Sequence, residues 1–138
     1  MSISARNKIQ GRVSDIKSGE AMCLVTLDAK GTKIVAAVTN QGVEELQLKR
    51  NEEVTAVIKS TEVMLMKGGG QTTLSARNRF PGQVESIQKG EAMGLVTLKM
   101  GQFHLGAAIT REAIDEMGLK QGDQVTAVVK ATEVMLMK

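Results

Sequence analysis

The alternation of apolar and polar residues predicts short β-strands along most of the chain. Residues 9–13 and 54–59 alternate as half-buried strands do, and residues 21–27 form an apolar run of strand length. A further apolar stretch ends at Thr39, and residues 63–66 form the last predicted strand. The spacing becomes helical only after Thr39, where Val43 and Leu46 would share one apolar face and Thr39 would cap the first turn. This half of the chain therefore predicts five short strands and one short helix.

The same pattern returns in the second half, because the chain is a tandem repeat. Placing Ser4 opposite Ser75 aligns residues 3–67 with residues 74–138 without a gap, and about half of the paired positions are identical. We predict one domain over residues 1–67, a flexible Gly-rich linker over residues 68–73 and a second domain over residues 74–138. Identity is densest in three pairs of segments, which are 4–7 with 75–78, 19–22 with 90–93, and 54–67 with 125–138.

The strand count and order favour an all-β fold with one short helix per repeat, in the form of two OB-like five-stranded barrels. Pro81 would lie at a sheet edge or a bulge, and Gly118 would end the second helix. The chain has 138 residues, so each repeat is near the lower limit for independent folding. The chain has neither Trp nor Tyr, and its two Phe residues, Phe80 and Phe103, both lie in the second repeat. We therefore expect apolar surface to be buried between repeats or between chains, and an oligomer as the default state.

Composition excludes several classes of function. The only cysteine, Cys23, faces Gly94 in the other repeat, so we expect a buried structural thiol and no disulfide framework. The formal net charge of +3 does not by itself indicate a polyanion partner. The first residues lack the apolar core of a signal peptide and no long apolar run follows, so we expect a cytoplasmic protein without a membrane partner.

Catalysis and metal-cation binding are both disfavoured, because the residues they need are not repeated. The only histidine, His104, stands opposite Lys33, so a triad cannot be assembled twice. Hydrogen-bond donors are repeated instead: Ser4, Arg6, Asn7, Lys59, Ser60 and Thr61 in the first repeat, and Ser75, Arg77, Asn78, Lys130 and Thr132 in the second. Such a set predicts a site for a small oxyanion, since cations and N–H or O–H groups together offset the cost of removing the anion from water. The structural alternative is that these lysines reach solvent and these arginines form surface ion pairs.

The same residues carry a resemblance to a known family. Ser-Ala-Arg-Asn at the start of each repeat, a Gly-x-Val soon after, Ala-x-(Val/Ile)-Thr before the helix, and the closing Val-(Ile/Val)-Lys-(Ser/Ala)-Thr-Glu-Val together resemble the Mop domain of the molbindins, within the wider TOBE superfamily. The resemblance covers essentially the whole of each repeat. It implies cytoplasmic binding of molybdate, and often tungstate, by OB-like units that exchange an N-terminal strand and assemble six domains into a ring. For a chain with two domains, six domains means a trimer.

The resemblance also implies which residues contact the oxyanion. They are the opening tetrapeptide, partly through its backbone amides, the threonine before the helix, and the lysine with the small or hydroxyl residues after it. In this chain they are Ser4, Ala5, Arg6, Asn7, Thr39, Lys59, Ser60 and Thr61, and Ser75, Ala76, Arg77, Asn78, Thr110, Lys130, Ala131 and Thr132. Many relatives carry a serine three residues after the threonine, where this chain has Gly42 and Ala113, so the threonines could serve as helix caps alone.

Three functions compete at this stage. The first is a non-enzymatic store or buffer of molybdate or tungstate without an organic cofactor. The second is an OB-type nucleic-acid-binding module, which the scarcity of aromatic residues disfavours, since such surfaces usually stack bases on aromatic rings. The third is a passive assembly module, which direct binding of the anion would exclude.

Overall fold

The computed structural model describes residues 7–67 and 74–138, so Ser4, Ala5, Arg6 and the predicted linker lie outside the described residues. Each repeat contains five strands, one α-helix and one 3₁₀ turn. The first repeat contains β1 (Asn7–Ser18), β2 (Met22–Ala29), β3 (Thr32–Thr39), α1 (Asn40–Leu46), β4 (Glu53–Ile58), the first 3₁₀ turn (Ser60–Glu62) and β5 (Met64–Lys67). The second contains β6 (Asn78–Lys89), β7 (Met93–Met100), β8 (Phe103–Thr110), α2 (Arg111–Met117), β9 (Gln124–Val129), the second 3₁₀ turn (Ala131–Glu133) and β10 (Val134–Met137).

The strands form two curled antiparallel sheets, and each sheet takes its last strand from the other repeat. The strand orders are β10-β4-β1-β2-β3 and β5-β9-β6-β7-β8. The predicted OB-like fold and the exchange between units are therefore confirmed. The implied identity of the exchanged strand is wrong among the described residues, because the opening strands β1 and β6 stay in their own sheets and the closing strands cross. The 3₁₀ turn after β4 packs against β8 and the turn after β9 packs against β3, so the strand that follows each turn lies beside the sheet of the other repeat.

The opening strands are long because each one pairs with a different neighbouring strand along each of its halves. The first half of β1 pairs with β4 and the second half with β2, with a register shift between Val13 and Asp15. In β6, Pro81 pairs with Thr126 of β9, and pairing with β7 begins only at Gln83. Pro81 thus occupies a part of the strand that has a single neighbour, as a residue without an N–H requires.

One continuous core joins both repeats. Ile34 and Ile58 of the first repeat and Leu105 and Val129 of the second are completely buried in the same cluster. Phe80 is also buried there, at 3% exposure. A repeat without aromatic residues is therefore stabilised by sharing its core, as the composition predicts.

The helices begin and end with recognisable caps. Helix α2 ends at Gly118, whose φ of 57° is left-handed, so the predicted stop is confirmed. Helix α1 ends at Gln47 in the same conformation, with a φ of 50°.

The thiol of Cys23 is buried and donates to Asn40 Oδ1 at 2.9 Å, as expected of a structural cysteine.

Candidate functional site

The first and last conserved segments of each repeat lie side by side, because the opening strand pairs with β4 in the first repeat and with β9 in the second. Asn7, the last residue of the opening tetrapeptide, pairs with Ile58 of β4, and Lys59 follows directly. In the second repeat Asn78 pairs with Val129 of β9, and Lys130 follows. Antiparallel pairing thus brings together donor groups that are far apart in sequence, as an oxyanion site between them requires.

The asparagines of this segment join the repeats. Asn7 Nδ2 donates to the carbonyl oxygen of Gly106 at 2.8 Å, and the N–H of Gly106 donates to Asn7 Oδ1 at 2.8 Å. Asn78 makes the same pair of bonds with Val35, at 2.8 and 2.7 Å. Both asparagines are buried. Their side-chain amides therefore hold the start of each opening strand against β8 or β3 of the other repeat, a role that neither composition nor spacing reveals.

The lysines precede the 3₁₀ turns and point to solvent. The N–H of Glu62 donates to the carbonyl oxygen of Lys59 at 3.0 Å, and Glu133 does the same to Lys130 at 2.9 Å. The first turn, which contains Ser60 and Thr61, packs against β8, and the second, which contains Ala131 and Thr132, packs against β3. The side chain of neither lysine forms a hydrogen bond or ion pair within the described ranges, so both ammonium groups are available to an anion.

Three of the predicted contacts line one cavity of about 290 Å³ in the second repeat. They are Ser75, Ala76 and Lys130. Its other lining residues are apolar, among them Met64 and Leu65 of the exchanged strand β5. An ammonium group with few competing polar groups around it is a favourable setting for a desolvated oxyanion.

The threonines before the helices act as N-caps. The N–H of Gly42 donates to Thr39 Oγ1 at 3.0 Å, and the N–H of Ala113 donates to Thr110 Oγ1 at 3.1 Å. Each hydroxyl proton is still available for donation. Thr39 also lines a cavity of about 430 Å³ with Thr132 of the other repeat.

Arg77 lies apart from the cavity that contains Ser75 and Lys130. It lines a separate cavity of about 500 Å³ together with Lys33 and Arg79. The predicted residues that line a cavity are therefore divided among three different cavities.

The sequence analysis missed a lysine at the end of each exchanged strand. Lys67 Nζ donates to the carbonyl oxygens of Met117 and Gly118 at 3.0 and 3.1 Å and lies 3.2 Å from Asp123 Oδ2. Lysine is favourable there because the carbonyl end of a helix carries partial negative charge. Repetition in the sequence could have identified these contacts: Lys67 and Lys138 occupy matching positions in the two repeats, and so do the acidic residues Glu52 and Asp123.

Lys138 makes the equivalent contacts on the first repeat. Its Nζ donates to the carbonyl oxygens of Leu46 and Gln47 at 2.9 and 3.1 Å and lies 2.9 Å from Glu52 Oε2. The hydrogen bond from Lys138 is the main cause that lowers the pKa of Glu52. The pKa of Asp123 is lowered first by the backbone N–H of Lys120 and then by Lys67. We call these two sets of contacts the lysine latches.

Two further properties concern the described part of the chain. Within it, no three His, Cys, Asp or Glu side chains are grouped as a metal-cation site would need. None of the helices between residues 7 and 67 or 74 and 138 has the length and apolar character needed to cross a membrane.

Comparison with known proteins gives relatives along the whole chain. The molybdenum transport protein ModE of Herbaspirillum seropedicae is 37% identical over 138 residues, which is 99% of this chain and 51% of that protein. The molybdenum-pterin-binding protein MopA of Rhodobacter capsulatus is 33% identical over 138 residues, 99% of this chain and 52% of that protein. The chain thus spans about half the length of these two relatives.

A solved structure matches the complete fold. The cytoplasmic molybdate-binding protein ModG, crystallised with molybdate bound, superposes with a TM-score of 0.95 and is 39% identical, over 99% of both chains. The family model described as the TOBE domain matches residues 3–65 and again residues 74–136. The chain therefore belongs to the TOBE domain family and carries two of its domains in tandem.

Proposed function

We propose that this chain binds molybdate as an intact oxyanion in the cytoplasm and so stores or buffers it. Tungstate, which has the same charge and shape, is the proposed second ligand. The chain acts as a binding protein in this proposal, and residues 1–67 and 74–138 are its two binding domains. The observation that carries the proposal is the full-length likeness to ModG, a protein solved with molybdate bound.

The donor chemistry along the seam supports the proposal. A dianion needs cations and several N–H or O–H donors, and Lys130 and Ser75 are among the residues that line one cavity. In the first repeat, Ser4 and Lys59 are the equivalent residues, and the hydroxyls of Ser60 and Thr61 follow Lys59 in the sequence. The proposed contacts are those that the resemblance implies, with Asn7 and Asn78 assigned to hold the seam together.

We propose that the chain assembles as a trimer with six binding domains. Large apolar side chains remain exposed on the single chain and support burial between chains. Their exposed fractions are 41% for Met22, 46% for Met64, 45% for Met93 and 40% for Met135.

A nucleic-acid-binding function has less support. Stacking of bases requires exposed aromatic rings, but Phe80 is buried and Phe103 is half-buried. The chain contains no other aromatic residue of the Phe, Trp or Tyr type.

The test is calorimetric titration of the full chain with molybdate, repeated in a large excess of sulfate. We expect saturable binding that persists in sulfate, and molybdenum that stays with the protein through dialysis. A separate titration with tungstate measures the affinity for the proposed second ligand. Absence of heat together with loss of all molybdenum on dialysis would overturn the proposal.

A further inference from the structure

Lys33 belongs to the first repeat but lies beside the opening tetrapeptide of the second. Asn78, the last residue of that tetrapeptide, bonds through its side-chain amide to the backbone of Val35, and Val35 follows Lys33 closely on β3. Arg77 of the same tetrapeptide and Lys33 line one cavity, whose volume is about 500 Å³. The pairing of the two repeats therefore brings a cation of the β2–β3 hairpin close to a residue that is a proposed contact of molybdate.

The ammonium group of Lys33 is not engaged by the surrounding protein. The side chains of Lys33 and Arg77 form no hydrogen bond or ion pair within residues 7–67 and 74–138. Arg79 also lines the cavity, and its guanidinium group donates to the carbonyl oxygen of Leu74. None of the described residues that line the cavity is acidic. Lys33 therefore adds positive potential to the cavity that Arg77 lines.

One carboxylate lies near Lys33 outside the cavity lining. Asp28 is the cross-strand neighbour of Lys33 in the β2–β3 hairpin. Its Oδ1 atom accepts the N–H of Gly31 at 2.9 Å, and within the described ranges no ion pair joins Asp28 to Lys33. Residues directly opposite each other in an antiparallel pair lie on the same face of the sheet. Asp28 therefore lowers the potential that Lys33 produces, without neutralising it by direct contact.

The second repeat places a different residue at the equivalent position. The side-chain amide of Asn7 bonds to the backbone of Gly106, as Asn78 does to Val35. His104 stands on β8 where Lys33 stands on β3. The opening tetrapeptide of the first repeat therefore ends beside a histidine, and that of the second ends beside a lysine.

A carboxylate accompanies the charged groups of the second hairpin. The Nδ1 atom of His104 lies 3.0 Å from Oε2 of Glu85. Lys99, the cross-strand neighbour of His104, lines a cavity of about 240 Å³ together with Glu85. The first repeat has Ser14 in place of Glu85. His104 is therefore a matched control for Lys33, since it occupies the same place with its charge opposed.

We propose that Lys33 raises the affinity of the molybdate site of the second repeat by attracting the dianion through space. This inference rests on the proposed function and adds a residue that the family resemblance does not imply. An anion with a double charge is attracted by a nearby cation twice as strongly as one with a single charge. Because Lys33 is exposed, water and salt weaken this attraction. We expect Lys33 to increase the affinity about three- to tenfold in dilute salt.

The experiment measures the molybdate affinity of the full chain by calorimetry at about 0.01 M and about 1 M salt, where the Debye length is about 30 Å and about 3 Å. All proteins compared carry Lys59→Ala, so that the site of the second repeat dominates the titration. Lys33→Gln should weaken binding about three- to tenfold in dilute salt and less than about twofold in concentrated salt. Asp28→Asn keeps the Oδ1 acceptor for Gly31 and removes the opposing charge, so it should strengthen binding in dilute salt.

His104→Gln is the control and should change the affinity of this site by less than about twofold. Thermal melting of each variant checks that the fold is intact. Three outcomes would overturn the inference while the proposed function stands: unchanged affinity of Lys33→Gln in dilute salt, equal weakening by His104→Gln, and weaker binding by Asp28→Asn. If the unmodified chain binds no molybdate, the proposed function itself fails, and this inference fails with it.

Discussion

Asn78 illustrates how a single buried side chain can hold two repeats in register. Its amide satisfies both the N–H and the carbonyl of Val35, so Asn78→Ala leaves two partly buried backbone groups without partners. We expect the free energy of unfolding to fall by about 1–3 kcal/mol, measured by urea denaturation. Gln88→Ala, an exposed change in the same strand, is the control and should have an effect within about 0.5 kcal/mol. Equal stability of the two variants would show that this asparagine does not hold the seam.

The lysines at the 3₁₀ turns give a test of the proposed site. Lys130→Ala should weaken molybdate binding in the second repeat by about ten- to hundredfold, since a charge-assisted contact contributes roughly 1.5–3 kcal/mol. Lys59→Ala should weaken molybdate binding in the first repeat by a similar factor, and we expect the same effect from Arg6→Ala. Calorimetric titration measures the loss, and Lys17→Ala, an exposed lysine of β1, is the control. Titration curves that match the control would assign these cations to the solvated surface.

Much of the residue-level picture could be predicted and part of it could not. Repetition identified Lys59 and Lys130 as cations kept in both halves, and the structure gives them no partner in the described ranges. Repetition also selected Asn7 and Asn78, but it cannot distinguish a ligand contact from a contact between repeats. The three-dimensional pairing with Gly106 and Val35 shows the contact between repeats, and the ligand contact stays a prediction.

At the scale of elements, the lysine latches make the stability with which β5 and β10 pack on the other repeat depend on pH. Glu52 and Asp123 have pKa values lowered in the fold from ordinary values of 4.5 and 3.8. A lowered pKa gives stability that is complete above the unfolded value and is lost as the pH falls through the folded value. The urea midpoint should therefore decrease below about pH 4.5, as both carboxylates become protonated.

The measurement compares the chain with the double variant Glu52→Gln, Asp123→Asn at about pH 6 and about pH 3. We expect the double variant to have a lower midpoint at the higher pH and a smaller further loss at the lower pH. Glu44→Gln, Glu116→Gln removes two exposed helix carboxylates and serves as the control. A double variant with the same pH dependence as the control would contradict the latch.

The elements themselves followed well from sequence, but their partners did not. Alternation and turn residues located five strands and one helix per repeat, and Gly118 ended α2 as expected. The exchange of β5 and β10 could not be derived from the pattern, because a strand of four residues pairs equally well with its own sheet or with an equivalent one. The 3₁₀ turn before it packs against the other repeat and has no strong sequence signal of its own.

On the scale of the whole molecule, a half-chain ending at Lys67 should not form a stable monomer. Its sheet lacks the fifth strand that β10 supplies, and its own β5 has no partner. We expect such a half-chain to associate through β5 and to bind molybdate weakly unless it associates. Light scattering gives the mass of the half-chain, and thermal melting gives its stability, each with and without molybdate. Ligand that binds only the assembled form stabilises that form by about 2.7 kcal/mol when its concentration is a hundred times Kd. Equal stabilisation of a monomeric half-chain would show that each site is complete within one repeat.

The full chain should be a trimer in solution, because the exposed methionines of the glycine turns and closing strands would otherwise remain in water. Light scattering at micromolar concentration gives the mass directly. A mass of 14.8 kDa, that of one chain, would contradict the assembly.

The reciprocal exchange also determines how this molecule responds to dilution. Two separate halves that trade a strand fall apart when their concentration drops below the dissociation constant. Here both halves belong to one chain, and a short covalent connection gives an effective concentration on the order of millimolar. The two halves of this protein should therefore stay interlocked at any dilution, and a cell can keep the seam intact even when it makes very few copies.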